Sequence, residues 1–153
     1  KTAYYMDQIL IANYNSMVQP NDTVYILGDL SFLKPNLSAQ RVAELHGTKI
    51  LVRGNHDRGA ILRRLDGLLE VKDYLWLDGI LLCHRPVTDP KFNTSIKLPD
   101  KSFVQFHGHR HSTHNERRRS CYKPNLITMV DVGVDAWNYR PVSLDTLKEE
   151  LND

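Results

Sequence analysis

Two short apolar runs, each broken off by a polar cluster, constrain this chain more than any other feature. Thr23-Val24-Tyr25-Ile26-Leu27 is β-branched and apolar and runs straight into Gly28-Asp29. Lys49-Ile50-Leu51-Val52 ends in the same way, at Gly54-Asn55-His56-Asp57. Short apolar runs of this kind read as buried strands. Between them, Asn36 or Ser38 can cap a helix with Val42 and Leu45 on its inner face, and Gly47 suits a C-terminal cap. Strand, helix and strand in so short a stretch predict a right-handed crossover with parallel strands. Asp29 and Asn55 then fall at one carboxyl edge of neighbouring strands, where open α/β sheets place their sites.

The flanking segments fit the same picture. Met6, Ile9, Leu10, Asn13, Tyr14 and Met17 recur near helical spacing, and Pro20-Asn21-Asp22 reads as the turn that follows. Tyr74 to Leu77 and Ile80 to Cys83 flank Asp78-Gly79, a strong two-residue hairpin signal. Phe103 to Phe106 and Ile127 to Val130 are further strand candidates, and Leu144 to Leu151 a closing helix. The sum is a layered α/β sandwich. No internal repeat or linker divides the 153 residues, so residues 1–153 read as one domain. The 20 basic and 18 acidic side chains leave a net charge of +2, too balanced to argue by itself for nucleic acid or an acidic membrane surface. No apolar run approaches the roughly 18 residues of a membrane span. Cys83 and Cys121 form neither a disulfide framework nor a zinc-type pair, which points to reduced thiols and a cytoplasmic setting.

Seven histidines are more informative, because four of them fall between His107 and His114. In extended chain, positions two apart face the same way, so His109 and His111 can converge on one locus while Arg110 points elsewhere. Gly108 before them lets the backbone approach closely. His84 ends the apolar run Leu81-Leu82-Cys83, and Arg85-Pro86 bends the chain behind it. A lone histidine there is more often a satisfied core residue. In Gly54-Asn55-His56-Asp57, Asn55 offers a carbonyl oxygen to a cation, His56 can donate a proton, and Asp57 can hold that imidazole protonated. Carboxylate, amide and imidazole donors together suit first-row ions such as Mn, Fe, Ni or Zn, rather than a calcium cage or a thiolate zinc site.

Gly28-Asp29, Gly54-Asn55-His56-Asp57, His84 and Gly108-His109-Arg110-His111, in this order, resemble the second to fifth signature blocks of the calcineurin-like metallophosphoesterases. Asp22 to Tyr25, Val132 to Asp135 and Tyr139 to Val142 extend the resemblance toward a small single-domain bacterial or phage branch. The resemblance implies an α-β-β-α sandwich of mixed sheets and a hydrolase of phosphodiesters or phosphomonoesters. In that family two divalent ions sit about 3.5 Å apart and hold the hydroxide that attacks phosphorus. By this likeness Asp29 would bridge the ions, Asn55, His84 and His109 would complete the ligands of one, and His111 would serve the other. His56, steadied by Asp57, would stabilise the transition state or protonate the leaving oxygen. The family's opening Asp-x-His block has no counterpart in this stretch. The resemblance therefore implies an upstream segment that carries it, with one metal held well by these 153 residues, the other weakly, and slow or no turnover by this stretch alone.

Arg85 and Arg53 neighbour the expected ligands and could neutralise a bound phosphate; pairing with surface carboxylates explains either as well. Glu116-Arg117-Arg118-Arg119 reads better as a solvated loop than as a nucleic-acid tract, and His46 as a complement to a helix end. Trp137 and Tyr139 fit a pocket rim or simple packing. The competing readings are a catalytically impaired binding module that kept the fold, and a nucleic-acid-binding protein. Natural substrate, native metal and oligomeric state stay open; an unpaired sheet edge would invite a second copy.

Overall fold

A computed structural model describes residues 3–27, 43–54, 68–108, 119–122, 126–133, 137 and 140–152, with side chains from residue 8 in the first helix and from residue 70 in the third strand. The described residues form a mixed α/β fold. Helix α1 (Ala3–Met17) leads through the turn at Pro20 and Asn21 into β1 (Thr23–Ile26). Strand β2 (Thr48–Val52) runs parallel to β1, with Ile26 opposite Leu51, as the crossover reading requires. The helix expected from Asn36 or Ser38 lies outside the described residues, apart from its end. Gly47 at that end has φ +89°, a left-handed conformation open to glycine. Strand β3 (Leu68–Lys72) adds in parallel to β2 and completes a three-stranded sheet in the order β1-β2-β3. No strand was expected there.

A five-stranded sheet follows. Strands β4 (Leu75–Leu77) and β5 (Ile80–Leu82) form the predicted hairpin, with Asp78 at φ +51° and Gly79 at φ +78°. Two successive positive φ values give the turn whose twist matches that of its strands. Strand β6 (Phe103–His107) is parallel to β5, and β8 (Ile127–Asp131) parallel to β6. Strand β7 (Arg119–Tyr122) pairs antiparallel with β8 at the edge, in the order β4-β5-β6-β8-β7. Arg119, expected in a solvated loop, therefore begins a strand, and its guanidinium donates to the Glu150 carbonyl. Helix α2 (Leu144–Leu151) closes the chain, capped by Ser143, whose Oγ accepts from the Thr146 N–H.

The period of two along the strands divides the core. Ile80 and Leu82 of β5, Phe106 of β6 and Val130 of β8 join Val52 of β2 and Leu147 of α2, with Tyr25 and Leu27 packed against them. The two sheets thus share one apolar cluster. On the opposite face of the larger sheet, Leu81, Cys83, Phe103, Ile127 and Met129 pack with Ile96, and Val87, Phe92 and Leu98 close over them. Both faces of β5 are covered, so all three of its residues are buried. No helix among the described residues is long and apolar enough to cross a membrane.

Candidate functional site

The carboxyl ends of strands from both sheets meet at His84. Its ring is 4% exposed, and its Nδ1 lies 2.8 Å from the Leu27 carbonyl, one residue beyond β1. A carbonyl only accepts, so Nδ1 carries the proton and the lone pair of the neutral ring is on Nε2. The Gly108 N–H donates to the His84 carbonyl at 3.0 Å and the Cys83 N–H to the Phe106 carbonyl at 3.3 Å, continuing the β5–β6 ladder past its formal end. Gly108 is needed here for close approach: a Cβ on it would lie 3.1 Å from the Leu27 oxygen and 3.8 Å from His84 Nδ1. Gly54, just beyond β2, lines a cavity together with His84.

Of the five expected metal ligands, only His84 lies within the described residues. Asp29, Asn55, His109 and His111 lie outside them, as do the expected proton donor His56 and its partner Asp57. Among the described residues no group of three His, Cys, Asp or Glu side chains could hold a metal. The donor chemistry of His84 fits a cation nonetheless. A ligating imidazole typically donates its other N–H to a carbonyl or carboxylate, which fixes ring and tautomer, and Leu27 supplies such an acceptor.

The cavity beside His84 is an open depression of about 330 Å³. Among the described residues, Arg53, Arg85, Lys91, Asn93, Asp73 and Cys83 line it as well. Arg85, expected to meet substrate, does line the cavity, and its Nη1 also lies 3.2 Å from Asp89 Oδ1, a pair shielded from solvent. Arg53 stands 3.9 Å from Asp73 with both side chains exposed, an arrangement that contributes little. Burial pushes the Cys83 thiol up, against the backbone N–H groups of Arg85 and His84, so it is a packed side chain rather than a nucleophile.

Several residues that shape this region were passed over in the sequence. Gln105 is fully buried in β6; its Oε1 accepts the Val87 N–H at 3.0 Å and its Nε2 donates to the Arg85 carbonyl at 2.8 Å. It therefore clamps the bend after His84. The signal was a glutamine between Val104 and Phe106, where an apolar strand has no evident use for one. His107 and Asp131 are buried and opposite each other in the β6–β8 register. His107 Nδ1 donates to the Gly108 carbonyl at 2.8 Å, and Asp131 Oδ1 accepts the Gly133 N–H at 2.8 Å. Trp137 packs on the shared core and donates its Nε1–H to the Asp131 carbonyl, so packing accounts for it. His46 does more than complement a helix end: its Nδ1 donates to the Val18 carbonyl at 3.0 Å, and its own carbonyl accepts from the Tyr14 hydroxyl.

No family model matches the chain. It is 31% identical to an uncharacterized protein of Methanocaldococcus jannaschii over 151 residues, covering 93% of this chain and 73% of that protein. It is also 31% identical to the gene 66 protein of Mycobacterium phage D29, covering 92% of this chain and 80% of the phage protein. A crystal structure of a protein of unknown function from Aquifex aeolicus aligns with a TM-score of 0.67 at 25% identity, over 95% of this chain and 84% of that one. Across archaeal and phage relatives of such coverage, the chain belongs to the family of the Methanocaldococcus jannaschii protein and the mycobacteriophage gene 66 protein.

Proposed function

We propose that this chain is the metal-binding body of a phosphoester hydrolase with the layered sandwich of the calcineurin-like metallophosphoesterases. One observation supports this reading above the others. Leu27, Gly54, His84 and Gly108 come from four different strand ends, yet they gather around one ring and one cavity. Asp29 follows Leu27 by two residues, Asn55 follows Gly54 by one, and His109 follows Gly108 by one. Asp29, Asn55 and His109 themselves lie outside the described residues, and their place among the ligands is part of the proposal.

In this reading Asp29, Asn55, His84, His109 and His111 hold divalent ions, which when bound would supply Lewis acidity toward a phosphoryl oxygen and an activated water. His56, oriented by Asp57, donates a proton to the leaving oxygen. Arg85, held by Asp89, offers N–H donors to the phosphoryl group. Hydrolysis of an aryl phosphodiester with and without Mn²⁺ tests the proposal, alongside metal content. His84→Ala should lose bound metal and turnover together, whereas His56→Ala should keep its metal and lose about 100-fold or more in turnover, the usual worth of a general acid. Two bound metals with no turnover on any phosphoester would leave the binding-module reading in its place.

A further inference from the structure

Gln105 is out of keeping with its surroundings. It stands opposite Leu81 in the β5–β6 register, on the face where Leu81, Phe103 and Met129 pack, and it is fully buried. An apolar side chain would sit there with no desolvation penalty, whereas a buried amide is tolerated only when its polar atoms are met. Both ends are met by the loop that follows β5. Oε1 accepts the Val87 N–H at 3.0 Å and Nε2 donates to the Arg85 carbonyl at 2.8 Å, so the two bonds straddle Pro86, itself fully buried. The Asp89 N–H donates to the Pro86 carbonyl at 2.9 Å, and Asp89 Oδ1 lies 3.2 Å from Arg85 Nη1. Arg85 is thus held at its backbone by Gln105 and at its guanidinium by Asp89. His84, one residue earlier, has other partners: its carbonyl accepts the Gly108 N–H and its ring donates to Leu27. Neighbours in sequence, the two are anchored separately.

We infer that Gln105 is a positioning residue for anion recognition: it acts through Arg85, setting where that guanidinium stands in the cavity, and takes no part in holding metal at His84. The inference deepens the hydrolase reading and rests on it for the contact between Arg85 and a phosphoryl group. An arginine side chain has many rotamers, and it meets an anion with little loss of freedom only when it is fixed beforehand. Asp89 cannot do this alone. It belongs to the same loop as Arg85 and would move with it. Gln105 belongs to β6, and its amide ties that loop to the sheet.

Calorimetric titration of the full chain with Mn²⁺, and then with inorganic phosphate in the presence of Mn²⁺, tests this on Gln105→Met, Arg85→Ala and the double variant. Gln105→Met nearly conserves volume and removes both bonds. It should bind phosphate about tenfold more weakly, the effect of loosening a hydrogen bond to a charged group, with Mn²⁺ affinity unchanged. Added to Arg85→Ala it should weaken phosphate binding no further, because its effect passes through that side chain. Phosphate binding equal in wild type and Gln105→Met, losses that simply add, or a fall in Mn²⁺ affinity each overturn the inference. Unchanged phosphate binding in Arg85→Ala overturns it too, by removing the contact it rests on. Turnover of an aryl phosphodiester by the wild type is read separately. Turnover with no effect of Gln105→Met on phosphate leaves the hydrolase reading standing without this inference; the expected phosphate pattern with no turnover under any metal does the reverse. Should Gln105→Met not fold, hydrogen exchange on the wild type decides. Phosphate should slow exchange at the Val87 N–H several-fold, and leave Leu147 of α2, in the core on the other face of the sheet, unchanged. No slowing at Val87, or equal slowing at both, overturns the inference.

Discussion

The Tyr14 hydroxyl donates to the His46 carbonyl at 2.7 Å, joining α1 to the segment that enters β2. Burial first, and the Asp22 carboxylate second, push its pKa up from 10.0 to about 12. The unfolded phenol gives up its proton at the lower value, so the stability this group contributes is whole below pH 10.0 and is lost as pH rises through about 12. Lys49, buried with its Nζ on the Leu45 carbonyl, has its pKa lowered by desolvation and slopes the opposite way, adding stability as pH climbs toward 10.5. Comparing wild type with Tyr14→Phe cancels that second slope. Urea midpoints should show the variant weaker by about 1 kcal/mol near pH 8, one hydrogen bond's worth, with the gap closing near pH 11. A gap that stays constant with pH would contradict this account. The two thiols differ as sharply. Exposed Cys121 should react with a disulfide reagent within seconds, while buried Cys83, its thiol pushed up, should react only as the fold opens. Two equivalents titrating at one fast rate would count against the packing described for Cys83.

At the scale of elements, legibility followed burial. The hairpin around Asp78-Gly79 and strands β1, β2, β6 and β8 were readable, because their patterns are apolar and their side chains at least half-buried apart from Thr23. Strands β3 and β7 were not. Val71 is 42% exposed and Tyr122 37%, and Arg119-Ser120-Cys121-Tyr122 offers no buried face to betray a period. What makes these segments strands is the ladder of the neighbour they pair with, which no local window contains. The turn itself yields a clean test. A Cβ on Gly79 would meet nothing within 4 Å, so the cost of Gly79→Ala is that of φ +78° alone. It should lower stability by about 1 kcal/mol, the expense of the left-handed region for a residue with a Cβ, while Gly79→Asn should lose less. Equal losses in chemical denaturation of the two variants would point to some cause other than backbone conformation.

Across the whole molecule, the convergence of strand ends was legible because parallel strands share their carboxyl edge, whatever the loops between them do. The cavity beside His84 was not, since Arg53 and Lys91 are far apart in sequence and the bend held by Gln105 and Asp89 brings the second sheet's loop beside the first sheet's edge. Gly108 stands where the sheets join, and it separates stability from site geometry. Its N–H holds the His84 carbonyl, and an added methyl would press on the Leu27 oxygen at 3.1 Å, the acceptor that orients the His84 ring. Gly108→Ala should therefore cost about 1–3 kcal/mol in denaturation, as overpacking does, and weaken metal binding by about 10- to 100-fold through the displaced ring. Gly79→Ala, far along the hairpin, should lose comparable stability and bind metal like wild type. Titration with Mn²⁺ or Zn²⁺ on both variants distinguishes a general loss of stability from a local one. If Gly108→Ala bound metal as tightly as Gly79→Ala, the Leu27–His84 contact would be a packing feature of the sheet junction, and the ligand role proposed for His84 would fall.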